Sequence, residues 1–496
     1  MAMEESVEQI DPTESLTTEA VKKRAASGAA VLTIRTIFMQ AISFFANALL
    51  TVFLEPSQYG VFFLVSAVIS FLAYFSDIGF AAALIQKREK LTQEDLRTIF
   101  TAQQLLIILL LIIIFVATPA IRGFYHFNQE SIYLLWALAF SLFASSLKTI
   151  PSVLMERRLE FNKLVVPQIL ETVVFNIIVV YLAWKGFGVN SFTIGVLARS
   201  ITGLVATYII QPWFPAIAFS TSSFKSILKF GLPYQMNVFM AMLKDDGMTL
   251  FLGGILGPSG VGLLGWAQKW AYAPLRFFMD QVIKVTFPAF SRLQDKKDDL
   301  SSTVSKSIFF ICLLVFPTLV LLVLLAPSLV QIIPKYYKWS PALTALTLIS
   351  ITSAFAAVTT PLTNMLNAIG KISLTFKFMV MWTVLTWVFV PTLSVFYGIN
   401  GAALGFAIVG ISSIIAIVKA SEFININYIE TLGKPLFGST VMGILIFILR
   451  SFLPTTFVSV ISLGVVGLVV YSGLLVIIEP SLLNMGKIIL RPKSNV

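Results

Sequence analysis

The chain is poor in the residues from which soluble catalytic sites are built. Its 496 residues include one histidine and one cysteine, and only 12% are charged. A single cysteine, Cys312, excludes an intrachain disulfide and leaves no spacing for a thiolate metal site. The lone His126 falls in an expected loop, which excludes a histidine-based catalytic or metal cluster. No catalytic residue, metal ligand or cofactor is therefore expected. The phosphate-loop pattern G-x-x-x-x-G-K-[ST] does not occur, so direct use of ATP by this chain is not expected either. No apolar run precedes Lys22-Lys23-Arg24, so the polar start is not a signal peptide. Residues 1–27 read as a cytoplasmic tail.

What the sequence has is apolar length. Hydrophobic residues make up 57% and the mean hydropathy is +0.90, which marks an all-α integral membrane protein. A spanning helix needs about 20 apolar residues, and the chain supplies roughly fourteen such segments with short connections. Residues 28–213 hold the first six and 226–420 the next six. Residues 435–478 hold two more, and 479–496 form a second cytoplasmic tail. Among the individual segments, 59–85 and 131–154 read as single helices, while 226–255 with 258–290 and 370–396 with 400–420 read as adjacent pairs. The formal charge of +11 would suggest nucleic-acid binding only in a soluble chain; here its placement sets orientation. With the N-terminus cytoplasmic, the outer loops collect only Arg122, Lys185, Lys335, Lys338 and Arg450. The inner side collects Lys87, Arg88, Arg157, Arg158, Arg292, Lys296, Lys297, Lys371 and most of the rest, as the positive-inside rule requires. Both termini are expected to be cytoplasmic.

The chain also repeats itself. Leu54-Glu55-Pro56-Ser57-Gln58-Tyr59-Gly60 returns as Leu256-Gly257-Pro258-Ser259-Gly260-Val261-Gly262, a shared L-x-P-S-x-x-G. Asp95-Leu96 returns as Asp299-Leu300, and Thr149-Ile150-Pro151 with Met155 as Thr359-Thr360-Pro361 with Met365. Gly188-Val189-Asn190 with Gly195 returns as Gly398-Ile399-Asn400 with Gly405. Echoes in one order argue for internal duplication. Six segments, an even number, separate the two L-x-P-S-x-x-G copies, so the repeat is parallel, with its axis along the membrane normal. Two six-helix lobes plus two C-terminal helices follow.

Several charges fall inside the segments: Arg35, Lys148, Arg199, Lys244, Lys269, Arg276 and Lys284, against Asp77, Glu171, Asp245, Asp246 and Asp280. Each is costly in lipid and needs a partner or water. Pairing explains part of the set: Arg35 with Asp77, Lys148 with Glu171, Lys244 and Lys269 with Asp245 and Asp246, and Asp280 with a neighbour on its own helix. Cations remain in excess, and Arg199 has no acid at matching depth in the first lobe. Lys269, Arg276, Asp280 and Lys284 share one helical face. Ser66, Ser70, Tyr74 and Asp77 form a polar stripe on the second segment, and Thr36, Gln40, Ser43 and Asn47 form one on the first. Asn237 on the seventh segment joins these as a candidate lining residue. Such stripes are either packing glue between helices or the wall of a water-filled cavity. A wall with surplus positive charge suits an anionic substrate, held by Arg35, Lys244, Lys269, Arg276, Lys284 and Arg199.

Some stretches match a known family. Leu54-x-Pro56-x-x-Tyr59-Gly60, Phe75-Ser76-Asp77-Ile78-Gly79-Phe80, Ala83-Leu84-Ile85-Gln86, Arg158-Leu159-x-Phe161 and Gly257-x-x-x-Val261-Gly262 resemble bacterial polysaccharide flippases. These are the Wzx and teichuronic-acid exporter branch of the multidrug/oligosaccharidyl-lipid/polysaccharide exporter superfamily. The resemblance implies a non-enzymatic transporter of the cytoplasmic membrane. Its substrate would be an undecaprenyl-diphosphate-linked oligosaccharide, moved from the inner to the outer leaflet through an inter-lobe cavity by alternating access. It also implies membrane lipids as surroundings, polysaccharide polymerase or export proteins as partners, and no nucleic acid. Coupling to H+ or Na+ would use an acid among Asp77, Asp245, Asp246 and Asp280. Three other readings stay open: a lipid II flippase, a drug/cation antiporter of the same superfamily, and a membrane glycosyltransferase or polymerase. A lumen of net acid would favour the antiporter; the short loops weigh against the enzyme.

Overall fold

The structure is a computed structural model that describes residues 18–76, 79–86 and 91–480. Every regular element among them is helical. Twelve helical stretches are long and apolar enough to cross a membrane. Two of these are each broken by one glycine in a non-helical conformation, Gly257 (φ 64°, ψ 178°) and Gly398 (φ 58°, ψ −136°). Counting each as a pair gives the fourteen crossings read from the sequence.

The elements are α1 (Thr18–Phe53), α2 (Pro56–Ala73), α3 (Gln93–Tyr125), α4 (Gln129–Leu147), α5 (Phe161–Trp184) and α6 (Asn190–Ile210). Then come α7 (221–256) and α8 (258–292) around Gly257, α9 (Lys297–Ile332), α10 (Leu343–Ala368), α11 (372–397) and α12 (399–412) around Gly398, α13 (Tyr428–Phe452) and α14 (Phe457–Ile478). The first helix begins at Thr18, ten residues inside the segment read as a tail. Two expected single helices are interrupted. The second ends at Ala73 and passes through a 3-10 turn, Tyr74–Ser76, before Phe80–Gln86; Gly79, at φ 73°, permits the change of direction. The fourth ends at Leu147 and restarts as Thr149–Arg157. Pro151 cannot donate to the Leu147 carbonyl four residues back.

The chain folds as two compact units, Met1–Gly262 and Leu263–Val496. In the first, Leu96, Ile99, Leu84, Phe80, Ile150 and Trp213 form a core between α3, Phe80–Gln86 and Thr149–Arg157. In the second, Ile308, Ile311, Cys312, Leu362, Met365 and Phe290 form a core around α9 and α10. Trp339, fully buried, stacks on Trp266 with centroids 5.5 Å apart and fixes the 3-10 segment Tyr336–Ala342 against α8.

The sequence echoes recur as the same local chemistry. Gly188 and Gly398 both take positive φ, 56° and 58°, and each opens a tight hairpin. Beyond them Gly195 and Gly405 bring helices close: a methyl group would sit 2.2 Å from Val179 Cγ2 and 2.7 Å from Val390 Cα. After Met155 and after Met365 the helix closes in the same way. Glu160 N–H donates to Met155 O at 2.9 Å and Lys371 N–H to Leu366 O at 2.8 Å, each around a residue of positive φ. At the start of α3, Thr98 Oγ accepts from Ser220 N–H at 3.0 Å; at the start of α9, Ser301 Oγ accepts from Asn425 N–H at 3.1 Å.

Prolines inside these helices expose carbonyls, and side chains answer them. Tyr208 Oη donates to Leu147 O (3.0 Å), the carbonyl that Pro151 leaves open. Tyr471 Oη donates to Leu313 O (2.7 Å), which Pro317 leaves open. Arg450 Nη1 reaches Leu324 O (2.9 Å), next to the carbonyl freed by Pro327. Neighbouring helices commonly rescue prolines in membrane spans this way. Here the rescue by Tyr471 also helps to hold α14 on α9, and Arg450 adds a polar contact from α13. Leu325, Met442, Ile446, Leu463 and Tyr471 seal the same contact. Leaving a buried carbonyl unmet costs about 1–3 kcal/mol. Tyr471→Phe and Tyr208→Phe are each expected to lower stability by roughly that amount, read as a lower thermal midpoint in detergent. Tyr428→Phe, whose hydroxyl meets Ser421 Oγ at a part-buried site, should cost less.

Candidate functional site

The first unit holds a polar network at membrane depth. Lys148, at the break after α4, is hydrogen-bonded and ion-paired to Glu171 on α5, as the matched depths predict. Both side chains are nearly enclosed, at 16% and 14% exposure. Glu171 has a second cation. Arg199 Nε on α6 stands 3.8 Å from Glu171 Oε2, and the guanidinium lies 5.8 Å from the Phe175 ring. The expectation that Arg199 lacks an acid partner is thus overturned. Counted from the turn near Gly188, the two residues differ in depth by roughly five positions, about 7 Å at the helical rise. A long arginine side chain covers that gap, and a residue count cannot see it. Gly203, one turn beyond Arg199, makes the slot: a methyl group there would fall 1.6 Å from Glu171 Oε1.

Arg35 on α1 donates to Gln168 Oε1 on α5, with Thr36 Oγ1 3.5 Å from its Nη2. Its expected partner, Asp77, lies outside the described residues, as do Lys87, Arg88 and Lys90. Gln168 and Glu171 also face a polar pocket of about 300 Å³ with Ser145, Lys148, Ser152 and Glu156. Burial pushes the Glu156 carboxyl above its usual range. The sequence reading missed Gln168 and Glu156. Gln168 sits one turn before Glu171 on α5, and that spacing was the available signal.

The remaining candidates are spread over the helices. On α1, Gln40 and Ser43 are half-buried. Asn47 donates to Ser43 O at 2.5 Å and accepts from Tyr59 Oη at 3.2 Å, so that side chain fastens the α1–α2 turn. On α2, Ser70 is exposed, and the Tyr74 ring packs 5.4 Å from Phe239 just beyond the helix end. On α7, Lys244 pairs with Asp245 at 2.9 Å; Asp245 is exposed and Asp246 half-buried. The side chains of Asn237, Asp280 and Lys284 lie outside the described ones. On α8, Lys269 and Arg276 are both exposed, although the span containing them is apolar. Trp266, Ala267, Ala271 and Leu275 on that helix are buried. At 100° per residue, Ala267, Ala271 and Leu275 lie opposite the two cations. The helix therefore packs through one face and presents positive charge on the other. Among the described residues no cluster of three or more potential metal ligands occurs.

A family model described as polysaccharide biosynthesis protein matches residues 49–344, more than half of the chain. The chain belongs to that family. Similar sequences include the lipopolysaccharide biosynthesis protein WzxC of Escherichia coli K12, 24% identical over 90% of this chain and 89% of that one. The succinoglycan biosynthesis transport protein ExoT of Rhizobium meliloti is 22% identical over 89% and 91%. The teichuronic acid biosynthesis protein TuaB of Bacillus subtilis is 23% identical over 72% and 74%. In fold, the chain is similar to the lipid II flippase MurJ in an inward closed conformation, with TM-score 0.76, 16% identity and 91% and 99% coverage. It is also similar to an inward-facing multidrug transporter of the MATE family, with TM-score 0.60, 16% identity and 80% and 97% coverage. These likenesses establish a polysaccharide-family transporter fold with many membrane spans.

The Glu171 network makes a direct prediction. Removing one member of a buried pair costs about 3–5 kcal/mol. Gly203→Ala should evict the Glu171 carboxylate and lower the thermal midpoint strongly. Adding Lys148→Met should recover part of that loss, because the stranded ammonium is gone. Equal damage in the single and double variants would show that the glycine matters only for helix packing.

Proposed function

We propose that the protein is a flippase for a lipid-diphosphate-linked oligosaccharide of the undecaprenyl type. It moves the repeat unit from the inner to the outer leaflet of the bacterial cytoplasmic membrane by alternating access, as a step in cell-surface polysaccharide synthesis. The observation that carries this reading is the exposed cationic face of α8, Lys269 and Arg276, set inside an apolar span against a buried opposite face. Two exposed cations at that depth are costly unless they meet water or an anion. A diphosphate supplies the anion, and arginine with lysine is the usual pairing for phosphate oxygens. Arg35, Lys244, Lys284 and Arg199 extend the set, with Arg199 tethered through Glu171 and still 51% exposed. Gln40, Ser43, Ser70, Tyr74 and Asn237 supply polar lining, whereas Asn47, expected among them, fastens the α1–α2 turn. Asp77, Asp245, Asp246 and Asp280 are the acids through which H+ or Na+ could be coupled.

The names of the sequence relatives, lipopolysaccharide, succinoglycan and teichuronic acid biosynthesis proteins, support a polysaccharide precursor as cargo. The likeness to MurJ, at 16% identity, supports the fold and leaves lipid II as the second reading. The surplus of cations weighs against a drug/cation antiporter.

Lys269→Gln and Arg276→Gln are expected to cut polysaccharide export about tenfold each at matched folded protein, the factor carried by one lost charged hydrogen bond. Export is read as surface polysaccharide in cells lacking the native copy. Full export by the double variant would sink the cationic-path reading.

A further inference from the structure

The pocket beside the Lys148–Glu171 pair holds more polar groups than the pair uses. Ser145, Thr149, Ser152 and Glu156 step along α4 and the Thr149–Arg157 helix at spacings of four, three and four, so they share one helical face. That face lines the pocket, and Gln168 and Glu171 line it from α5. Lys148 already meets Glu171, and Gln168 Oε1 already accepts from Arg35. Among the described residues, no hydrogen bond or ion pair engages the Ser145, Thr149 and Ser152 hydroxyls, the Gln168 amide nitrogen or the Glu156 carboxyl. Ser145 is exposed and the other four are half-buried. Polar groups that end in a cavity rather than on one another call for water or a ligand.

Charge decides which class of ligand fits. Glu171 takes both Lys148 and Arg199. With Glu156 ionised, these four charges sum to zero. Burial raises the Glu156 carboxyl and so favours its neutral form, which leaves at most one positive charge over. A diphosphate would want a surplus of cations. A metal ion would want more acids, and among the described residues no cluster of three or more potential metal ligands occurs. What the walls offer instead is uncharged chemistry. Three hydroxyls both donate and accept, one amide donates, and one carboxyl accepts. That inventory matches the hydroxyls of a sugar ring. Val153, Leu164 and Pro167 share the lining and supply apolar surface for ring C–H groups. The volume, about 300 Å³, stands at the small end of ligand pockets and suits a single ring.

We infer that this pocket is a subsite for one uncharged sugar ring of the lipid-linked cargo, read by Ser145, Thr149, Ser152, Glu156 and Gln168. On the orientation read from the charges, Glu156 stands at the cytoplasmic end beside Arg157 and Arg158, so the ring enters from the inner side. The inference rests on the flippase reading, but its test needs no lipid-linked substrate. Ala81 lines the pocket without a polar side-chain group, and the native Cys312 is fully buried, so Ala81→Cys is the reporter. The purified variant in detergent is treated with a small methanethiosulfonate, alone and with glucose, galactose or N-acetylglucosamine. At least one of the three sugars should slow labelling about threefold at twice its dissociation constant. Sorbitol and inorganic pyrophosphate should not. Adding Ser152→Ala should abolish protection and leave the unprotected labelling rate unchanged; a merely structural role for Ser152 would move that rate instead. Ser145→Cys, at an exposed position, repeats the test if Ala81→Cys does not fold. Protection by none of the three sugars, protection by pyrophosphate alone, or no labelling of the folded reporter would each overturn the inference. Full export by the Lys269→Gln, Arg276→Gln double variant would strike the cationic path and leave sugar protection standing. Absent protection, with that double variant inactive, would strike the subsite alone.

Discussion

A backbone carbonyl or a charge that enters hydrocarbon must find a partner inside the protein. That requirement organises this structure more than any propensity of its residues. The helices carry prolines at positions where they expose carbonyls, and Tyr208 and Tyr471 donate to the ones that Pro151 and Pro317 release. The same requirement binds Lys148 and Arg199 to one carboxylate, which a glycine makes room for. It helps to hold α14 on α9 through Tyr471, with Arg450 adding a polar contact from α13. Lys269 and Arg276 present positive charge on the exposed face of α8 inside an apolar span. That exposed face is what the proposed anionic cargo would meet.

The echoes in the sequence meet similar local chemistry: positive-φ glycines at Gly188 and Gly398, helix closures after Met155 and Met365, and a hydroxyl accepting a backbone N–H near the start of α3 and of α9. The copies also differ: the first L-x-P-S-x-x-G turn is capped and anchored, and the second is glycine-rich.

Much of the fold was legible. Apolar length alone located the long apolar helices among the described residues, and the glycines at the two tight breaks were present in the repeat pattern. The helix interruptions after Ala73 and Leu147 were not. Hydropathy does not distinguish a straight span from one bent at Gly79 or Pro151. Of the site, the Lys148–Glu171 pair followed from matched depth. Arg199 did not, because depth counting ignores side-chain reach. Asn47 read as a lining residue, yet its side chain holds Tyr59. A polar residue on a membrane helix serves packing as readily as a lumen, and a one-dimensional stripe does not separate the two.

In the function proposed above, surplus positive charge within the spans carries an anionic lipid-linked sugar across the bilayer. The direct measurement is leaflet-resolved transfer of an undecaprenyl-diphosphate oligosaccharide by the purified protein in proteoliposomes. Protein-dependent transfer is expected, and it should be lost when Lys269 and Arg276 are both neutralised and the protein remains folded. Transfer that continues unchanged in that double variant, or that runs equally well for a lipid-linked sugar without the diphosphate, would contradict it.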